Sequence, residues 1–153
     1  MSDRRDTADR RLGPLLVALA ALAVLAQLYG LYRTSGPQTL SWFPQADKLA
    51  HLLLFALPVG LILLARGVRT GGASRRAAHR FTAAVVVLFL LHAVVSELVQ
   101  HSFYSSRTGD PVDVLADWLG VAVGVASARL LGRPRPTSAS GPGQVIAAHP
   151  RLP

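Results

Sequence analysis

Four apolar stretches of about 20 residues constrain the fold of this chain more than any other feature. They are Leu12–Leu31, Asp47–Ala65, Phe81–Val99 and Val112–Leu131. A helix of about 20 residues is long enough to cross the ~30 Å hydrocarbon core of a bilayer. The mean hydropathy of +0.38 is high for a soluble chain and ordinary for a small membrane protein. The sequence therefore predicts an all-α integral membrane protein, a four-transmembrane-helix bundle.

The regions outside these stretches divide the chain into three parts. Residues 1–11 form a basic N-terminal segment, residues 12–132 form the transmembrane domain, and residues 133–153 are rich in Pro, Ser, Gly and Ala without an apolar period. We expect that tail to be disordered. The first apolar run could also be a cleaved signal peptide, with Val24-Leu25-Ala26 before the cut. A full span is favoured because the apolar run continues to Leu31.

The Lys and Arg residues, counted loop by loop, predict the orientation of the bundle. Thirteen of the sixteen lie before the first span, between the second and third, or around the end of the fourth: Arg4, Arg5, Arg10, Arg11, Arg66, Arg69, Arg75, Arg76, Arg80, Arg129, Arg133, Arg135 and Arg151. The other two connections hold only Arg33, Lys48 and Arg107. Because basic loops stay on the cytoplasmic side, both termini are predicted to be cytoplasmic.

The net charge of +8 does not indicate nucleic acid binding, although the chain is strongly basic. The basic loop Arg66–Arg80 has no aromatic residue on which a base could stack, so a loop that faces lipid headgroups is the better interpretation. The bilayer is therefore the expected partner, and no cofactor is expected. The absence of cysteine excludes disulfides, thiolate nucleophiles and Cys-ligated metals.

Five of the eight acidic residues fall at one end of the apolar helices, on the side predicted to be extracytoplasmic. They are Asp47, Glu97, Asp110, Asp113 and Asp117. Lys48, His51, Gln100, His101 and Arg107 lie at the same end of the helices or in the connection between them. Ionised groups are costly within a bilayer and mark functional sites there. The pattern predicts an outward-facing polar site.

The spacing of these residues places each set on one face of its helix. Asp47 and His51 are four residues apart, as are Asp113 and Asp117, and Glu97 is four residues before His101. On the fourth helix the same face continues through Gly120 and Gly124, a pair of small residues that lets a neighbouring backbone approach closely in lipid. The acidic face is therefore also predicted to be the packing face.

Some of these acids have a simple structural explanation. Asp47 and Asp113 lie near helix N-termini, where a carboxylate can cap free N–H groups and is favoured by the helix dipole. This explanation does not extend to Glu97, near a helix C-terminus, or to Asp117, a full turn deeper than Asp113. These two must either pair with Lys48, His51, His101 or Arg107 or carry a proton. His92, in the middle of its span, is expected to form a hydrogen bond between helices.

The polar residues also carry a family resemblance. The pattern reads Asp47-Lys48-x-x-His51, then Glu97-x-x-Gln100, then Arg107-x-x-Asp110-x-x-Asp113-x-x-x-Asp117-x-x-Gly120-x-x-x-Gly124. In order and helix placement it resembles the VanZ-like family of small bacterial membrane proteins, over about Leu40–Gly132. One departure is Asp117, where many members of the family carry Asn.

This resemblance implies a multi-pass protein of the bacterial plasma membrane. The family is named for a protein that raises resistance to the glycopeptide antibiotic teicoplanin, and no catalytic residue is transferred by the resemblance. An outward-facing polar site agrees with a role in the cell envelope, because glycopeptides and their wall targets are extracytoplasmic. Antibiotic resistance is thus an expectation that rests on the resemblance.

Three hypotheses for function follow. In the favoured one, the polar site recognises an envelope lipid or cell-wall precursor: Lys48, His51 and Arg107 meet a phosphate or carboxylate, and the acids meet cationic or hydroxyl groups. In the second, the protein is an enzyme in which Glu97 or Asp117 is the general acid and His51 or His101 the base. In the third, the polar network is structural, within a partner subunit of a membrane complex.

Two further points stay open at the level of sequence. A metal-dependent enzyme would use the carboxylates and imidazoles as ligands of Mg²⁺, Mn²⁺ or Zn²⁺, but no ligand-pair motif is present and no metal site is assigned. Transport by a single copy is disfavoured because four short helices leave little room for a central path. A homodimer through Gly120 and Gly124 would change that.

Overall fold

The structure is a computed structural model that describes residues 2–33, 45–69, 74–103 and 110–132. It has four helices: α1 (Ser2–Tyr32), α2 (Ala46–Arg69), α3 (Arg75–Phe103) and α4 (Pro111–Leu131). No strand occurs in these residues, so the expectation of an all-helical fold is confirmed. The predicted disorder of the tail lies outside the described residues.

Each helix contains a segment long and apolar enough to cross a membrane. The mean hydropathy of the most apolar window lies between 1.6 and 2.2 in the four helices. Large apolar side chains cover the outside of the bundle, and Leu25, Leu88 and Leu130 are each more than 60% exposed. An exterior of this kind suits lipid better than water. These are the features of a multi-pass membrane protein.

Helix α2 is the central helix of the bundle. It packs most extensively against α4 and α1 and also contacts α3, whereas α1 and α4 are not close neighbours within the described residues. The core around α2 includes Phe55 and Val59, which are fully buried against Phe89 and Val121. The rings of Phe55 and Phe89 meet edge to face, with their centroids 6.2 Å apart. The position of α2 lets its first two turns contact α3 and α4 at the same time.

Glycines bring α2 and α4 into close contact. A Cβ atom added to Gly124 would lie 2.6 Å from the Ala56 carbonyl oxygen and 3.0 Å from the Gly60 nitrogen. A Cβ atom on Gly120 would overlap the Leu52 carbonyl oxygen. Both glycines of α4 are therefore covered by α2 of the same chain. In this structure the two glycines serve a contact within the chain, and a homodimer stays a prediction.

The two ends of the bundle carry opposite charges. Asp47, Glu97, Asp110, Asp113 and Asp117 lie at what we call the acidic end. Arg66, Arg69, Arg75, Arg76, Arg80 and Arg129 lie at the basic end. At the basic end the Arg66 guanidinium lies 4.2 Å from the centre of the Phe81 ring, a cation–π contact between α2 and α3. The helix termini thus place all the candidate site residues of the described chain at one end.

Candidate functional site at the acidic end

Lys48 joins the first turns of α2 and α4. Its ammonium donates to Asp110 Oδ2 at 2.9 Å, to Asp113 Oδ1 at 2.8 Å and to Asp47 Oδ2 at 3.4 Å. Asp47 and Lys48 are adjacent in α2, while the other two partners are more than 60 residues away along the chain. The ammonium is therefore satisfied by carboxylates of its own chain.

Asp110 caps the N-terminus of α4. Its Oδ1 accepts a hydrogen bond of 2.9 Å from the Val112 backbone N–H, and Pro111 occupies the first helical position. Two hydrogen bonds hold the pKa of the Asp110 carboxyl below its ordinary value: the one from the Val112 N–H has the larger effect, and the one from Lys48 the smaller. We expected Asp113 to cap α4, but the structure shows that Asp110 is the cap. Asp113, which is one turn further on, pairs with Lys48 instead.

A second, buried layer of the site lies around His51. Its Nδ1 is 3.0 Å from Asp117 Oδ1, and the Asp117 side chain has no exposed surface. Glu97 Oε1 lies 3.9 Å from the same Nδ1, and Asp113 Oδ2 lies 3.9 Å from Nε2. Carboxylates of α3 and α4 therefore surround an imidazole of α2. The need for a partner for Asp117, inferred from its depth, is met by His51.

Glu97 connects the end of α3 to the start of α4. Its Oε2 accepts a hydrogen bond of 3.1 Å from the Asp110 backbone N–H, which would otherwise be a free donor before the helix. Its Oε1 is buried without a hydrogen-bond partner among the described residues, as is Asp117 Oδ2. Gln100, three residues after Glu97, is also buried with an unpartnered Nε2. The inner layer thus holds polar atoms that the described chain does not satisfy.

The predicted polar site residues separate into four groups. Seven are joined by hydrogen bonds or ion pairs: Asp47, Lys48, His51, Glu97, Asp110, Asp113 and Asp117. Gln100 is buried on α3, whereas His101 is exposed at the surface of that helix. Arg107 lies outside the described residues. The spacing of residues along each helix therefore identified most of the cluster. It also grouped His101 with the cluster, and this residue is exposed.

Helix α1 also places polar side chains inside the bundle, and these were not singled out from the sequence. Gln27 is 1% exposed, and Tyr32 Oη lies 3.2 Å from His92 Nε2. This contact confirms the hydrogen bond between helices that was expected of His92. Gln27 could have been found, because it is the first residue with a polar side chain after Arg11 in an otherwise apolar helix, and such residues face the bundle interior.

The buried layer also has the composition of a metal-binding site. His51, Glu97 and Asp113 each offer one ligand atom, and the three atoms lie within 4.8 Å of one another. An imidazole with carboxylates and no thiolate suits Zn²⁺ or Mn²⁺. The arrangement can thus bind a cation, accept hydrogen bonds from a ligand, or move a proton between a carboxylate and an imidazole.

Comparison of the chain with protein-family models, with curated proteins and with solved structures gives no match. The resemblance to the VanZ-like family therefore rests on the motif residues and their helix placement. The acidic end supports a function through its own chemistry, which is independent of that resemblance.

Proposed function

We propose that the acidic end recognises a component of the bacterial cell envelope, a lipid-linked or cell-wall molecule, on the extracytoplasmic side of the plasma membrane. The observation that carries this proposal is the charge of the site. Five carboxylates lie around one ammonium and one imidazole. An excess of acceptors in a partly buried site favours ligands that bring cationic or hydroxyl groups.

The pairing of Lys48 makes the carboxylates the recognition groups. Three carboxylate oxygens already lie within 3.4 Å of its ammonium. A phosphate or carboxylate of a ligand would have to displace one of them and would meet the remaining acids. We therefore assign ligand contact to Glu97 and Asp113, and to His51 a role in holding Asp117, whose side chain has no exposed surface.

The location of the site is supported by the charge of the opposite end. Six arginines of the described chain lie at the basic end, and basic segments stay cytoplasmic. That rule puts both termini in the cytoplasm and the acidic end outside, where wall precursors and glycopeptides are found. Together with the VanZ-like motif, this placement supports a contribution to teicoplanin resistance.

A second candidate function, an enzyme acting on a lipid-linked or wall substrate, is favoured by one contact. The hydrogen bond of 3.0 Å between His51 and Asp117 has the geometry of a base oriented by a carboxylate. Glu97 would then serve as the general acid. Ser96, the residue before Glu97, is not placed as a nucleophile, because its hydroxyl donates a hydrogen bond to the Ala93 carbonyl.

The test is teicoplanin susceptibility of a sensitive Gram-positive host that expresses the protein. We expect the wild type to be protective, and Glu97→Gln and Asp113→Asn to lose that protection at equal membrane abundance. His101→Gln is the matched control, because this exposed histidine lies one turn from Glu97 on α3, and it should protect like the wild type.

Two outcomes would contradict the proposal. If the wild type gives no protection, the assignment to glycopeptide resistance is wrong. If Glu97→Gln and Asp113→Asn protect as well as the wild type, the carboxylates have a structural role only, because the amide variants keep hydrogen-bonding groups of the same shape.

A further inference from the structure

We propose that His51, Glu97 and Asp113 form a binding site for one divalent first-row cation, Zn²⁺ or Mn²⁺. This inference goes beyond recognition of an envelope ligand, because binding of the ion can be measured with no such ligand present. Three helices supply the three side chains: α2, α3 and α4 respectively. The site would therefore form only when the bundle is assembled.

The distances between the three side chains are close to those that an ion requires. One ligand atom of each residue lies within 4.8 Å of those of the other two. Ligand atoms about 2.0–2.2 Å from one Zn²⁺ ion are separated by roughly 3–4 Å. The three ligand atoms would therefore move closer together by side-chain rotation to coordinate one ion.

Two buried carboxylate oxygens without hydrogen-bond partners support a cation site. Glu97 is 6% exposed and its Oε1 has no hydrogen-bond partner within the part of the chain that the structure describes. Asp117 has no exposed surface, and its Oδ2 likewise has no hydrogen-bond partner among the described residues. A buried carboxylate oxygen without a hydrogen-bond partner is costly in such surroundings. The Lys48 ammonium hydrogen-bonds to Asp47, Asp110 and Asp113, so a cation would add positive charge beside Glu97 and Asp117, which are not among those partners.

Each proposed ligand is oriented by a hydrogen bond through its other polar atom. Glu97 accepts from the Asp110 N–H through Oε2, which leaves Oε1 for the ion. Asp113 accepts from Lys48 through Oδ1, and its Oδ2 lies 3.9 Å from His51 Nε2. His51 is held through Nδ1 by Asp117 at 3.0 Å. A carboxylate that orients a metal-binding histidine in this way is a recurrent arrangement in metalloproteins.

The ligand types determine which ions we expect. Imidazole suits Zn²⁺ and other first-row ions, whereas Mg²⁺ and Ca²⁺ prefer sites made of oxygen atoms. Three protein ligands leave at least one coordination position free, as in Zn²⁺ sites that bind a water molecule or a substrate. A hydroxyl group of an envelope ligand could occupy this position.

The experiment uses the full chain in nanodiscs of phosphatidylcholine, a lipid without net charge, after removal of metals with a chelator. Zn²⁺ is titrated by calorimetry, and Mn²⁺ by electron paramagnetic resonance of the free ion. We expect one saturable ion per chain for Zn²⁺, for Mn²⁺ or for both. We expect Glu97→Gln, Asp113→Asn and His51→Gln each to weaken the affinity by about tenfold or more.

His101→Gln is the matched control, and it should bind like the wild type because His101 is exposed. Failure of the wild type to bind either ion at one per chain would overturn the proposal, whatever the variants do. Equal affinity for Mg²⁺ that His51→Gln does not change would also overturn it, because the imidazole would then not be a ligand. A negative result leaves the susceptibility test unaffected, so the two proposals can fail separately.

Discussion

At the scale of single residues, the position of Lys48 is explained only by its partners. A cation in the first turn of a helix is opposed by the helix dipole. Asp110 and Asp113, at the N-terminus of α4, carry the charges that this dipole favours and lie within 3 Å of the Lys48 ammonium. The cation at the start of α2 and the carboxylates at the start of α4 thus neutralise each other, and the pairing holds the two helix starts side by side.

We expect Lys48→Met to lower the melting temperature of the protein in detergent, because Asp113 would lose its cation while remaining mostly buried. Lys48→Arg should lower it less, because it keeps the charge. In a double-mutant cycle with Asp113→Asn, the coupling should be on the order of 1 kcal/mol after allowance for the partial exposure of Lys48. Strictly additive effects of the two substitutions would show that the ion pair contributes nothing.

The lowered pKa of Asp110 predicts a dependence of stability on pH. A carboxyl whose pKa is lower in the folded than in the unfolded state stabilises the fold above the unfolded value, which is about 3.9. This contribution is lost as the pH falls through the folded value. The melting temperature of the wild type should therefore exceed that of Asp110→Asn at pH 6, and the difference should shrink below about pH 4. A difference that stays constant from pH 6 to pH 3 would contradict this account.

At the scale of helices, the contact between α2 and α4 positions the site. Gly120 lies three residues after Asp117, and Gly124 one turn further, so the faces that carry the acids and the glycines are continuous. Both glycines could be predicted from their spacing. Their counterpart Gly60 could not, because nothing in α2 alone shows which of its faces meets α4. For the same reason, the sequence alone does not show that Lys48 pairs with Asp110 and Asp113.

We expect Gly120→Ala to destabilise the bundle by about 1–3 kcal/mol, because the added methyl would overlap the Leu52 carbonyl and a backbone cannot easily move away. Gly67→Ala in α2 is the matched control. No atom lies within 4 Å of a Cβ atom at that position, so the gain in helix propensity should stabilise by about 0.5–1 kcal/mol. Unfolding in mixed micelles measures both, and equal effects would show that the contact at Gly120 is loose.

At the scale of the whole molecule, charge is separated along the bundle. Arg66 and Arg129 mark one end, and Lys48 with its carboxylates marks the other. The four apolar stretches and this separation could be read directly from the sequence, because length and charge are local properties. The surroundings of Gln27 could not, because they depend on how α1 lies against the other helices; its polar side chain indicates only that it faces the interior.

The predicted orientation can be tested with two single-cysteine variants, since the chain has no cysteine of its own. His79 and His101 are both exposed, both on α3, and roughly 33 Å apart along the helix. In intact cells, a maleimide that does not cross membranes should label His101→Cys but not His79→Cys. After the cells are opened, both should react. The reverse pattern would place the acidic end in the cytoplasm.

The long separation between Lys48 and its partners has a consequence for synthesis. Asp110 and Asp113 leave the ribosome 62 and 65 residues after Lys48. Until they arrive, a nascent chain with α2 and α3 inserted holds Lys48 without two of its three carboxylate partners, His51 without Asp117, and Glu97 without the Asp110 N–H. Insertion of the last helix would therefore complete the neutralisation of the earlier ones. We expect a chain that stops before Asp110 to be recognised and degraded by membrane proteases, although it retains three of its four spans.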